Sequence, residues 1–244
     1  MDSEEKIPCS IVIPVYNEEE LIEDSVNQLL QGLESLNIDY EVILSENGSR
    51  DKTLEICKNI ASGNNFVKVI SYKKANYGRA MYHGITQASK DIIIILNIDY
   101  IDNEFINKSI SLISDYDIIV GSRNMKGSKD KRPFLRRILT MGLNQILKYA
   151  FGYQGTETHW VKAMKKRAIL PIIQKCQLEQ GVFDTEFMIR AQRSGLSIKE
   201  IPVATEEIRA PRNILIQKIF RVIVDLIKLK IVLNRPDSLK HLNE

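Results

Sequence analysis

Ser10-Ile11-Val12-Ile13-Pro14-Val15 followed by Tyr16-Asn17-Glu18 decides the architecture of this chain. Six residues rich in branched aliphatics, with no polar alternation, read as a strand buried on both faces. Polar residues follow it at once. Asn17 stands three residues before Glu20, which predicts a capping box. Ile22, Val26, Leu29, Leu30 and Leu33 then recur at helical spacing.

The same unit repeats downstream. Tyr40–Leu44 predicts a second strand, and the turn Gly48-Ser49-Arg50-Asp51 leads into a helix carrying Leu54, Ile56, Cys57 and Ile60. Val67–Tyr72 predicts a third strand and Gly78–Ala88 a helix. Asp91–Leu96, with five consecutive aliphatics, predicts a fourth strand; Asp102 or Asn103 caps the next helix, and Asp117–Val120 predicts a fifth strand. Strand–helix alternation with both strand faces apolar means an open, mostly parallel α/β sheet with helices on each side. In such sheets ligands sit at the carboxyl ends of the strands. Tyr16-Asn17-Glu18, Glu46-Asn47 and Asn97–Asp102 all lie there.

After Gly121 the pattern changes. A basic loop leads to an apolar helix around Leu135–Tyr149, then an irregular stretch, Gly152–Trp160. A helix near Lys166–Lys175, another over Asp184–Ser194 and a strand over Ile198–Ala204 complete the reading. Residues 1–212 are read as one domain, and 213–244 as a C-terminal amphipathic helix and tail. The apolar residues from Ile214 to Leu233 are interrupted by Gln217, Lys218, Arg221, Asp225, Lys228 and Lys230. A helix of this kind either rests on a bilayer surface or packs as a core helix with lysines at its edge.

The 244 residues are 44% hydrophobic and 27% charged, which excludes disordered, collagen-like and coiled-coil classes. A formal charge of +3 is too small to argue for nucleic acid. Its distribution says more. Gly121–Thr140 holds seven Lys/Arg against one Asp, and Lys162, Lys165, Lys166 and Arg167 form a second cluster. Such clusters are either solvated faces or surfaces that meet phosphate or an anionic membrane. Cys9, Cys57 and Cys176 are odd in number and far apart, so they predict neither a disulfide framework nor a metal site. With an acidic N-terminus and no run of about 18 apolar residues, a cytoplasmic location is expected, including a peripheral place on the cytoplasmic membrane face.

The chemistry narrows by what is missing. There is no G-x-G-x-x-G after the first strand, no G-x-x-x-x-G-K-[ST] and no G-x-S-x-G. His83, His159 and His241 are too scattered for zinc. What remains is carboxylates at strand ends with basic residues downstream. Asp99 is the best single candidate ligand for Mg²⁺ or Mn²⁺, which take oxygen donors and often bind through one or two carboxylates plus substrate phosphates. Asp102 fits an N-cap better.

The segments IVIPVYNEEE, SENGSRDKT, NYGRAMYHGI, IIIILNIDY, VGSR and FDTEFMIRAQRSGLSIKEIPV occur in that order between Ser10 and Arg212. Together this set resembles the family 2 glycosyltransferases with the GT-A fold. It is most similar to dolichyl/polyprenyl-phosphate mannose or glucose synthases. The resemblance implies transfer of a hexose from a nucleotide-diphosphate sugar to a polyprenyl phosphate, with inversion. It implies that Pro14, Tyr16, Asn17 and Glu18 line the base and ribose, with Glu46, Asn47 and Gly48 beside them. Gly78 and Arg79 would open a helix towards the phosphates, and Arg209 would lie near the diphosphate. Asn97-Ile98-Asp99 corresponds to the family's metal motif, with Asp99 matching its last acid. Arg123, Arg136 and Thr140 correspond to the acceptor-phosphate positions. Asp184 and Glu186 correspond to the acidic pair on the acceptor side, where they are candidates for general base; Asp184 can equally be an N-cap.

Several positions depart from the family. Asn97 replaces the first Asp of the metal motif, which removes a negative charge, and Ile101 replaces a later polar residue. Thr156–Lys162 keeps only the Lys of its counterpart, with Glu157 as a substitute acid. Arg212 and Asn213-Ile214 replace a Gly and a Ser-Lys. Two other readings stand beside the first: transfer to a glycan hydroxyl, and a catalytically reduced relative serving as a binding subunit. A membrane partner subunit is also compatible with the chain; a nucleic-acid partner is not expected, because aromatics do not interleave the basic clusters.

Overall fold

A computed structural model describes residues 6–205 and 215–235. The first half runs β1 (Ile7–Val15), α1 (Ile22–Glu34), β2 (Ile38–Glu46), α2 (Thr53–Gly63), β3 (Val67–Ser71), α3 (Tyr77–Gln87), β4 (Ile92–Ile95), α4 (Asn103–Leu112) and β5 (Ile118–Ser122). The second half adds β6 (Lys129–Asp130), α5 (Phe134–Phe151), β7 (Lys162–Lys165), α6 (Lys166–Ile173), α7 (Phe183–Arg193), β8 (Ile198–Pro202), β9 (Ala204–Thr205) and α8 (Leu215–Leu233).

The aliphatic runs form one seven-stranded sheet in the order β3-β2-β1-β4-β7-β5-β8. All neighbours are parallel except β7, which runs antiparallel between β4 and β5. A short parallel pair, β6 and β9, stands apart. Both faces of the sheet are dry. Ile11, Ile13, Leu44 and Ile94 face α1, α2 and α4, while Val12, Ile43, Ile93 and Ile95 face the helices of the other layer. Successive side chains point to opposite faces, so an uninterrupted aliphatic strand is what two apolar layers require. Pro14 is tolerated in β1 because the pairing with β4 ends at Val12 and Ile95, one turn of pleat earlier.

Strand β7 corrects the reading of the second basic cluster. Lys162-Ala163-Met164-Lys165 is no solvated face: Ala163 and Met164 fill the two cores, and Lys162 is only 1% exposed. The Nζ of Lys165 donates to the Ser114 carbonyl and that of Lys166 to the Ala88 carbonyl. The lysines tie the sheet to loops at its edges. Helix α7 is a second departure from simple amphipathicity. Asp184, Thr185, Glu186 and Arg190 are buried with its apolar residues, because Lys162 meets Asp184, Thr158 meets Thr185, and Glu186 and Arg190 meet each other inside the fold. Helix α8 packs Leu229 into the second core, and the Arg193 guanidinium donates to the last carbonyls of both α5, at Phe151, and α8, at Leu233.

Candidate active site

Five polar loops converge at the carboxyl ends of the parallel strands. The first two are locked to each other. Asn17 adopts a left-handed backbone with φ 54°. Its N–H donates to Ser49 Oγ at 3.0 Å, and its Oδ1 accepts from the Arg50 N–H at 2.8 Å. The Glu18 N–H donates to Thr53 Oγ1 at 2.8 Å. The expected capping box is therefore absent. Helix α1 starts later, at Ile22, behind a Leu21 that offers no side-chain cap, and the Glu18 carbonyl takes the Leu21 and Ile22 N–H groups. Asn17 cannot cap a helix because its amide is spent on the neighbouring turn. Tyr16 remains exposed beside it.

Glu46 and Asn47 act the same way one strand over. Glu46 is buried; its Oε1 accepts from the Ser49 N–H and its Oε2 from Ser71 Oγ at 2.6 Å. Asn47 Oδ1 accepts from the Asn76 N–H. Next in the chain, Gly48 has φ 70°, and a Cβ there would lie 3.0 Å from the Ala75 nitrogen and the Lys73 carbonyl carbon. Only glycine fits both the left-handed turn and this approach.

Gly78 and Arg79 open α3 as read, and the amino end of that helix is already engaged within the fold. Asn76 caps it by accepting from the Arg79 N–H at 3.1 Å, and the Gly78 N–H donates to the Glu179 carbonyl at 2.6 Å. A Cβ at Gly78 would lie 2.5 Å from that carbonyl oxygen. Gly78 thus serves close packing of the 179 backbone, and Arg79 Nε lies 3.4 Å from the Glu179 carboxylate.

The turn after β4 carries the candidate metal ligands. The Tyr100 N–H closes it on the Asn97 carbonyl at 3.0 Å. Ile98 is buried in the core, so its side chain anchors the turn while its backbone alone faces the site; Asp99 is exposed. Asp102 is the N-cap of α4, as read, accepting from the Phe105 N–H at 2.8 Å and from the Tyr100 hydroxyl at 3.1 Å. Among the described residues no cluster of three His, Cys, Asp or Glu side chains surrounds a metal position. One free carboxylate and one amide oxygen on a single turn nevertheless fit Mg²⁺ or Mn²⁺, whose remaining ligands are then substrate phosphate and water.

Linked to this turn through Trp160 is an arginine held on two sides. Arg123, just after β5, donates from Nε to Glu157 Oε2 at 2.7 Å and from Nη2 to Glu157 Oε1 at 3.0 Å. Its guanidinium carbon lies 4.4 Å from the centre of the Trp160 ring, and that ring is 5.2 Å from Tyr100. Burial works against ionisation of Glu157, but Arg123 and the His159 N–H outweigh it and hold the carboxyl below its usual range. On α5, Arg136 and Thr140 share a face with Asn144, whose amide donates to the Thr156 carbonyl at 2.7 Å. Thr140 Oγ1 bonds back to the Arg136 carbonyl.

The acidic pair of α7 divides. Asp184 sits inside the helix rather than capping it, 2% exposed, and accepts from Lys162 Nζ at 2.9 Å. Lys162 donates also to the Trp160 carbonyl at 2.8 Å. Burial, then the adjacent Asp184, keeps the Tyr77 hydroxyl protonated well beyond its ordinary range. Glu186 accepts from the N–H groups of Gln177 and Leu178 and from Arg190 Nε at 2.8 Å. Both ring nitrogens of His159 are engaged, by Thr158 Oγ1 and by the Gly181 carbonyl just before α7, and His83 stacks on Tyr72. Arg209, Arg212, Asn213, Ile214 and His241 lie outside the described residues.

The sequence had not singled out Trp160 or Tyr100. One weak signal was there: Trp160 is the only tryptophan of the chain, in a polar, irregular stretch.

A mostly parallel sheet whose strand-end loops link an exposed carboxylate turn through Trp160 to a clamped arginine has the architecture of a GT-A glycosyltransferase. Glucosyl-3-phosphoglycerate synthase from Mycobacterium tuberculosis, solved with Mn²⁺, UDP and glucosyl-3-phosphoglycerate, shares the fold with a TM-score of 0.66 over 95% of this chain and 82% of that one, at 21% identity. Within that fold the chain belongs to glycosyl transferase family 2, whose model matches residues 10–171. It is 26% identical over 238 residues to a dolichyl-phosphate beta-glucosyltransferase of Trichomonas vaginalis, ALG5A, covering 91% of this chain and 72% of that relative. It is 31% identical over 136 residues to a dolichol-phosphate mannosyltransferase of Pyrococcus furiosus, covering 54% of this chain and 38% of that one.

Proposed function

We propose that this glycosyltransferase moves a hexose from a nucleotide-diphosphate sugar, of the GDP-mannose or UDP-glucose type, to a polyprenyl or dolichyl phosphate, with inversion. The observation that carries this reading is the contrast between Arg123 and Asp184. A hydroxyl acceptor must lose a proton and needs a base. Asp184 is buried in a pair with Lys162, and Glu186 is filled by two backbone N–H groups and Arg190. A phosphate monoester needs no base, because its second pKa is about 6. It needs cations in fixed geometry, and Arg123 is one. The names of the two relatives support the same acceptor class.

In this reading the acceptor phosphate oxygen attacks the anomeric carbon from the face opposite the nucleotide, the bond from that carbon to the diphosphate oxygen breaks, and the nucleoside diphosphate leaves. Pro14, Tyr16, Asn17 and Glu18 form one wall for the nucleoside, with the turn at Glu46, Asn47 and Gly48 as its rigid backing. Gly78 and Arg79 bring Glu179 into the same wall. Asn97 and Asp99 would hold Mg²⁺ or Mn²⁺, which neutralises charge on the departing diphosphate. Arg209 serves the same group. Arg123, Arg136 and Thr140 orient the acceptor phosphate.

The acceptor's tail implies a membrane surface, met peripherally on its cytoplasmic side. No described helix is long and apolar enough to cross a bilayer. Helix α5 instead exposes Phe134, Leu135, Ile138, Met141 and Tyr149 beside Arg137 and Lys148, and α8 exposes Ile223, Ile227 and Ile231 beside Lys228 and Lys230. Apolar faces edged by cations suit an anionic lipid surface. A membrane partner subunit is the alternative cover. Asn97 favours a second reading, a binding subunit without turnover, since it leaves the turn with one carboxylate.

The test is a turnover screen of UDP- and GDP-hexoses with a polyprenyl phosphate, with and without Mn²⁺. Metal-dependent formation of a lipid-linked hexose is the expected result. Donor binding without turnover for any hexose overturns the transferase reading in favour of the binding subunit.

A further inference from the structure

We propose that Glu157 and Trp160 are positioning residues that decide which edge of the Arg123 guanidinium meets the acceptor, and that Trp160 ties this arginine to the donor-side turn at Tyr100. The inference rests on the acceptor reading above and deepens it. A guanidinium has five N–H donors in a rigid planar fork. Glu157 occupies the Nε–Nη2 edge with two bonds of 2.7 and 3.0 Å. The Trp160 ring covers one face at 4.4 Å. The Nη1 end and the outer Nη2 proton are what this pairing leaves for a phosphate.

The clamp is itself clamped. Glu157 is 3% exposed, and its Oε1 accepts also from the N–H groups of Thr158 and His159. The Glu157 carbonyl accepts from the Tyr153 hydroxyl at 2.8 Å. One residue back, Thr156 is fixed through its N–H and hydroxyl by the Glu200 carboxylate, both at 2.6 Å. A surface arginine in a basic loop needs none of this. A buried carboxylate placed against it, with both oxygens engaged and four N–H donors upon it, is an arrangement for holding direction.

Trp160 is held differently. Its Nε1 is shielded from solvent and has no hydrogen-bond partner among the described residues. The ring is kept in place by Arg123 on one side and Tyr100 on the other. Tyr100 follows Asp99 directly and closes its turn, so a movement of that turn reaches the guanidinium through a single ring. Because Glu157 offsets the formal charge of Arg123, the pair contributes orientation, and long-range attraction falls to the rest of the basic loop.

The lone tryptophan makes the test direct, since fluorescence excited at the red edge of the absorption band, where the nine tyrosines scarcely absorb, reports this ring. The intact chain is titrated with farnesyl phosphate, and each variant is checked by circular dichroism. The wild type gives a saturable fluorescence change. Glu157→Gln keeps the oxygen that serves Thr158 and His159 but loses the charged fork, and its Kd rises roughly tenfold or more. Arg123→Lys, which keeps the charge and loses the planar fork, weakens binding comparably. In turnover, Glu157→Gln raises the acceptor KM and leaves the donor KM unchanged, whereas Trp160→Leu raises both; a merely structural role moves neither selectively. If Glu157→Gln fails to fold, Trp160→Phe measured by calorimetry carries the same criterion. Wild-type binding with unaltered Kd in the folded variants overturns the positioning role alone. Absence of wild-type binding overturns the acceptor reading, and the positioning role with it.

Discussion

Asp99 and Asp184 are both acids in a candidate active site, yet their surroundings assign them opposite work. Asp99 is exposed on a turn that Ile98 pins to the core, so its carboxylate is available to a cation. Asp99→Asn is expected to cost roughly a hundredfold or more in turnover and to abolish stimulation by Mn²⁺, which steady-state rates with and without the ion will check. Asp184 is 2% exposed and neutralises a lysine that is 1% exposed. Asp184→Asn leaves that ammonium buried without its partner and should lower stability by about 3–5 kcal/mol in urea unfolding, far more than it changes the rate of the folded fraction. The N-cap at Asp102 and the place of Asp99 on a turn at a strand end were legible in the sequence, because each depends on residues close in the chain. Asn17 was not. Its left-handed backbone comes from bonds to Ser49 and Arg50, and a spacing of three residues to Glu20 cannot reveal them.

The elements divide in a similar way. The five parallel strands of the first half were readable from aliphatic runs alone, with ends shifted by a few residues. Strand β7 was missed because its four residues begin and end in lysine, and the burial of Lys162 depends on an acid in α7. The pattern Lys-Ala-Met-Lys carries no sign of that partner. Helix α5 was read correctly in place, but which of its apolar residues face inward became visible only with the fold. Leu147 and Phe151 enter the second core, while Ile138 and Met141 remain outside. If that outer face meets lipid, the double variant Ile138→Glu, Met141→Glu should lose co-sedimentation with vesicles containing phosphatidylserine while melting at the wild-type temperature. Unchanged sedimentation assigns the face to something other than a bilayer.

Across the whole molecule, two dry layers leave the strand ends as the place where polar loops can gather, and the turn after β4 meets the loop before β7 there through Tyr100 and Trp160. The opposite end carries its own buried acid. Glu41, near the start of β2, is held at about 2: burial opposes its charge, but Lys68, Ser10 and Ser89 outweigh it. Its unfolded value is about 4.3, so the native state favours the ionised form. That contribution to stability is complete above the unfolded value and is lost as pH falls from there towards 2. Glu41→Gln should therefore flatten the acid limb of the unfolding free energy in that window, read by urea titration at stepped pH.

The class of fold, the sheet and the turn at Asp99 could all be read from a single sequence, since each depends on residues close in the chain. The clamp on Arg123 could not, because Arg123, Glu157, Trp160 and Tyr100 come from three separate loops. The central claim concerns the acceptor that this clamp serves. The most direct measurement offers the protein a polyprenyl phosphate and the corresponding polyprenol, with the same donor and Mn²⁺, and follows transfer of labelled hexose into the lipid phase. The account predicts label on the phosphate and none on the alcohol. Label on the alcohol at a comparable rate would contradict it, for a hydroxyl acceptor requires the base that Asp184 and Glu186 are too firmly engaged to be.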